Sequence, residues 1–90
     1  MKQTVNIPIQ TFCVVSTLGD FTPIRFRFEN EQHEIITVNI NEILSHKETN
    51  FAGTNEIRYT CNAFIGDELK MFELKYSVIQ HKWSFFQMLS

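Results

Sequence analysis

Three histidines and two cysteines, His33, His46, His81, Cys13 and Cys61, have the chemistry to ligate a metal or attack an electrophile. Brought to one rim, the histidines would hold zinc in a metal-dependent enzyme. Their spacing matches no compact ligand motif, however, and each falls in a segment that reads as a turn or loop, where a solvated imidazole is the simpler expectation. A nucleophilic thiol needs an accessible, electropositive setting. Cys61 instead shares the parity of Ile57 and Tyr59, and Cys13 sits in the apolar run FCVVST, so both read as small buried hydrophobes. The carboxylates are scattered: Glu29, Glu31 and Glu34 flank one turn, Glu48 and Glu56 the long loop, and Asp67 and Glu68 the last hairpin. No pair stands out as a general acid and base. The expectation is a protein that binds and does not catalyse, with no cofactor.

Two surfaces carry that expectation. Strand alternation places Arg25, Arg27, Arg58 and Lys75 on the face opposite the core, together with Thr37, Asn39, Asn41, Thr60, Asn62 and Glu73. If neighbouring strands unite Arg25, Arg27 and Arg58, their guanidinium groups grip phosphates or an acidic peptide. No aromatic platform for base stacking is read on this face, which makes nucleic-acid binding the second expectation and steep loss of affinity with salt its signature. In the last strand, Trp83 and Phe85 are expected to face one side and Phe86 and Met88 the other. One pair joins the core, while the other, beside Phe64 and Phe12, offers a surface to a partner protein or a second copy. Protein interaction or self-association, through this surface or an edge strand, is the first expectation.

The elements that position these residues are strands. In TPIRFRFEN, residues 22–30, Ile24, Phe26 and Phe28 alternate with Arg25, Arg27 and Glu29, which is the pattern of a half-buried strand. A second run over 34–41 follows as its hairpin partner. Residues 4–9 read as a weak or edge strand because Pro8 lacks a ladder donor, and FCVVST, apolar on both faces, reads as a central one. Asn41 to Leu44 suggests one helical turn, and Ser45 to Asn55 the longest loop, tethered by Phe51. The rest reads as a meander with turns at Gly66-Asp67 and Gln80 to Lys82, and with a phase slip near Met71-Phe72 that predicts a bulge.

Ninety residues suffice for one core, so 1–90 is read as a single domain. The content is 43% hydrophobic with nine Phe, one Trp and two Tyr, enough to fill an interior and to argue against disorder. A formal charge of −2 argues against generic attraction to nucleic acid or anionic lipid. Two cysteines are too few for a disulfide scaffold, and no apolar stretch approaches a bilayer span, so a cytoplasmic protein is expected. About six short strands with little helix favour an all-β fold, either a small SH3-like barrel or a strongly curled antiparallel sheet, since closure removes exposed edges.

The succession PIRFRFEN, ITVNINEIL, a glycine-containing loop, FELKY and KWSFF resembles small uncharacterised bacterial proteins. These begin a strand with Pro-x-Arg-Phe and end on a Trp strand. The likeness covers Pro23 to Phe86. It implies a bacterial origin and a barrel and carries no activity.

Overall fold

Seven strands joined by short turns make up the computed structural model, which describes residues 6–90 except for the Phe51 side chain. They are β1 (Ile7–Val15), β2 (Phe21–Glu29), β3 (Ile35–Asn39), β4 (Glu42–Phe51), β5 (Thr54–Ile65), β6 (Glu68–Ser77) and β7 (Lys82–Met88). All ladders are antiparallel, and the order across the sheet is β3-β2-β1-β7-β6-β5-β4. The fold is therefore all-β, as the alternation predicts. No helix among the described residues is long and apolar enough to cross a membrane.

The connection between β3 and β4 dictates the shape. These strands are the two edges of the sheet, yet only Ile40 and Asn41 lie between them. Laid flat, seven strands would hold the edges about 29 Å apart, whereas the three peptide steps from Asn39 to Glu42 reach about 11 Å. The sheet must curl until its edges meet at that corner, and the result is a half-barrel. There the chain passes from one side to the other: the Ile40 amide donates to the Ile24 carbonyl at 3.0 Å, and the Asn41 amide donates to the Asn62 carbonyl at 2.9 Å. Asn62, buried and not on the open face expected of it, accepts from Asn41 Nδ2 at 3.1 Å and donates to Glu42 Oε1 at 3.4 Å.

The core fills the concave side. Phe26, Phe72 and Phe85 form a triangle with ring centres 5.5–5.9 Å apart, and Leu74, Cys61, Ala63 and Val38 pack around it. Above them Trp83 lies 4.9 Å from Tyr76 and 5.4 Å from Tyr59, which continues the aromatic layer. Three bulges shape the curl. Phe12 pairs with Arg25 and Cys13 with Pro23, so Ile24 is skipped. It turns outward, 45% exposed, while Pro23 takes the buried place that simple alternation assigns to Ile24. A second bulge falls at Leu44. The third lies opposite Glu73–Leu74, where Phe86 is the extra residue of β7.

The bulge expected at Met71-Phe72 is absent, since β6 pairs with β5 without a break from Glu68 to Ser77. Leu69 and Met71 keep the parity of Glu73 and Lys75 and face outward, half exposed beside Phe64. The N-terminal reading also changes. Within the described residues one strand, β1, replaces two, pairing with β7 over Ile7–Ile9 and with β2 from Gln10 onward. Pro8 sits where β1 is paired on one side alone, which accommodates its missing donor. Residues 4 and 5 of the expected edge strand lie outside the described residues.

The largest correction concerns residues 41–55. The expected helical turn and long loop are the ten-residue strand β4, followed by a two-residue turn, Ala52-Gly53. Both turn residues have positive φ, 54° and 79°, the conformation of a type I′ hairpin turn. The expected tether, the Phe51 side chain, lies outside the described residues. Alanine is strained in the left-handed region by about 1 kcal/mol. Ala52→Asn is accordingly expected to stabilise the protein by about 0.5–1 kcal/mol, read as a higher urea midpoint at unchanged m.

Candidate functional site

Inward-facing residues change character along β4. Ile43 packs on the core, but His46 and Glu48, which follow on the same face, are exposed. They form one wall of a cleft of about 1080 Å³. The opposite wall is the β1–β2 turn, Gly19 to Thr22, held across the sheet by two contacts. Tyr59 Oη donates to the Phe21 carbonyl at 3.2 Å, and the Phe21 ring stands 5.6 Å from that of Tyr76. Tyr59 and Ile57 of β5 supply the floor. Asp20 and Glu48 line the cleft, as does Glu56, whose carboxylate lies near Arg58, and no lysine or arginine among the described residues does. Burial pushes the Tyr59 phenol up to about 12, with the charges of Glu48 and Asp20 adding to the shift.

β4 borders this cleft with a free backbone edge. Among the described residues it hydrogen-bonds to β5 alone, and no other strand comes alongside it. Among the described residues, Glu56 lies 3.9 Å from Arg58 Nε, whereas neither Asp20 nor Glu48 has an ion-pair partner.

The sequence-derived basic residues do reach the outer face, in two clusters. Arg25 and Arg27 stand over the Phe12 ring at 4.5 and 5.5 Å, and Arg27 Nε also donates to Gln10 Oε1. Arg58 and Lys75, directly cross-strand, stand over Phe86 at 4.4 and 5.2 Å. Asn6 bonds to Phe86 and Phe12 lies six residues further along β1, so the clusters are about 20 Å apart along the strands. Arg58 does not join Arg25 and Arg27. The outer face does carry two aromatic rings, contrary to the sequence reading, because the bulge at Phe86 and the parity of Phe12 turn both outward.

The expected aromatic interface is dispersed. Trp83 and Phe85 point inward and Phe85 is buried, Met88 joins the core beyond the bulge, and Phe86 lies under its two cations. Phe64, 61% exposed, instead neighbours Leu69 and Met71.

The histidines also separate. His33 occupies the β2–β3 turn, 3.3 Å from Glu29, at the end of β2 remote from the cleft. His46 lines the cleft with its ring 6.0 Å from that of Tyr59, and His81 Nδ1 lies 3.0 Å from Tyr76 Oη. Among the described residues no three His, Cys, Asp or Glu side chains gather into a metal-binding group. Cys61 is fully buried, with its thiol pushed up to about 12, and burial also raises that of Cys13, so neither has the thiolate character of a nucleophile.

Compared with known protein families, curated proteins and solved structures, the chain matches none. Sequence reasoning missed the cleft itself. Its only signal was the alternation of His46 and Glu48 with Lys47 and Thr49, which has strand period but no apolar face.

Proposed function

We propose that the chain is a peptide-binding module that receives an extended segment of a partner protein along the free edge of β4. The observation that carries this reading is the ten-residue edge of β4 open onto a cleft whose far wall stands beyond it. An added strand would satisfy the unpaired donors and acceptors of β4, and its alternate side chains would enter the cleft, which is how strand addition combines affinity with selectivity. The module is non-catalytic and works in a reducing cytoplasm, consistent with its two free cysteines. Its kinship with SH3-like barrels and its bacterial origin rest on the resemblance of Pro23 to Phe86.

Amide shift mapping of ¹⁵N-labelled protein with an extended, neutral Thr/Val/Gln peptide tests the site. Shifts and slowed amide exchange confined to β4, Phe21 and Tyr59 are expected. Changes centred on Phe64 and Leu69, or a concentration-dependent dimer in their place, would move the interface to the outer face.

A second reading, single-stranded nucleic-acid binding on the outer face, is favoured by the rings of Phe12 and Phe86. Bases would stack there while the four cations turn to phosphates. Anisotropy of a labelled thymidine oligonucleotide should then show affinity falling steeply with salt. No binding at low salt rejects it.

A further inference from the structure

We propose that the segment docked on β4 is basic, with a lysine or arginine side chain inserted between Asp20 and Glu48 beside the exposed ring of Phe21; this rests on the strand-addition reading above. Asp20 belongs to the β1–β2 turn and Glu48 to β4, so two acidic residues line the cleft from separate elements. Neither has an ion-pair partner among the described residues. Among the described residues no lysine or arginine lines the cleft, although the outer face holds four of these side chains over aromatic rings. Asp20 and Glu48 thus line the cleft beside the exposed ring of Phe21 without a basic partner among the described residues.

A long basic side chain fits both. Its alkyl stem covers Phe21 and Ile57, which line the cleft, while its charged head reaches the carboxylates. The exposed ring of Phe21 adds a further attraction for a cation. Strand addition supplies the geometry, because alternate residues of the incoming strand point into the cleft and the intervening ones point away. An acidic side chain at the same place would meet like charge from both walls, which discriminates against it. The chemistry selects a peptide with a basic residue at the inward position that meets Asp20 and Glu48.

The test uses fluorescein-labelled peptides of one framework, Thr-Val-X-Val-X-Val-Thr, with X as Lys, Gln or Glu, and a Lys peptide N-methylated on alternate amides. Wild-type protein is expected to bind the Lys peptide roughly tenfold more tightly than the Gln peptide and the Glu peptide least. The Asp20→Asn, Glu48→Gln double variant should lose the Lys preference and keep its affinity for the Gln peptide. An unchanged ¹⁵N spectrum away from the cleft verifies that it folds. Equal binding of the Lys, Gln and Glu peptides overturns the basic-segment proposal and leaves strand addition standing. Full binding of the N-methylated Lys peptide overturns strand addition, while a retained preference for Lys over Gln would still support a cation site. Binding of none of the peptides overturns both.

Discussion

Phe26→Ala is expected to cost about 3–5 kcal/mol, measured by urea denaturation monitored through Trp83 fluorescence. Phe26 is completely buried at the centre of the half-barrel, with Phe72 5.5 Å and Phe85 5.9 Å away. Truncation removes a ring from water-free surroundings and leaves a cavity that the facing strands cannot close without uncurling. Domains of this size hold about 5–15 kcal/mol in all, so the loss takes a large share of the stability. Phe26→Leu keeps most of the volume and is expected to cost about 1 kcal/mol. A loss below 1 kcal/mol for the alanine variant would mean that the aromatic triangle is not the centre of the core.

Asn62→Ala carries the second-largest effect, about 2 kcal/mol, for a different reason. The side chain ties Asn41 and Glu42 to β5 at the corner where the sheet edges meet. Removing it leaves the Asn41 amide group and the Glu42 carboxylate to find water at a partly closed corner. The loss should be accompanied by faster exchange of the Asn41 backbone amide, which donates to the Asn62 carbonyl. Exchange that stays slow at Asn41 while stability falls would place the effect elsewhere. The same comparison separates corner closure from general loosening, because the β5–β6 ladder pairs without interruption and does not depend on this side chain.

Where burial alternates, the sequence was legible. Phe26 and Phe28, Tyr59 and Cys61, and Phe72, Leu74 and Tyr76 all lie on the concave side, and the β2–β3 hairpin and the β5–β6–β7 meander follow from them. β4 was illegible for the converse reason. Periodicity reports which side chains leave water, and an edge strand whose inward residues are His46 and Glu48 keeps them exposed while its backbone pairs fully on one side. The cleft was hidden with it, since Glu48 looked like a solvated loop carboxylate. Bulges were misplaced because an outward Leu69 and Met71 mimic a phase change, while the real slip at Ile24 replaces one apolar residue by another, Pro23. The basic residues were assigned to the correct face, but alternation gives no distance across a sheet, so the separation of Arg58 from Arg25 and Arg27 lay beyond it.

Five of the six ladders join strands that are consecutive in the chain, and only β1 with β7 does not. That ladder rests on three residue pairs, from Ile7 opposite Phe85 to Ile9 opposite Trp83. It therefore requires almost the whole polypeptide to be looped before any of its bonds forms, the slowest kind of step for a small domain. The two hairpin groups, β1–β2–β3 and β4–β5–β6–β7, can assemble locally and in either order, with their docking left to the end. Substitutions at Ile7 or Ile9 would then act chiefly on the unfolding rate and leave the folding rate nearly untouched, so the lifetime of the closed half-barrel is set at the seam where the two ends of the chain meet.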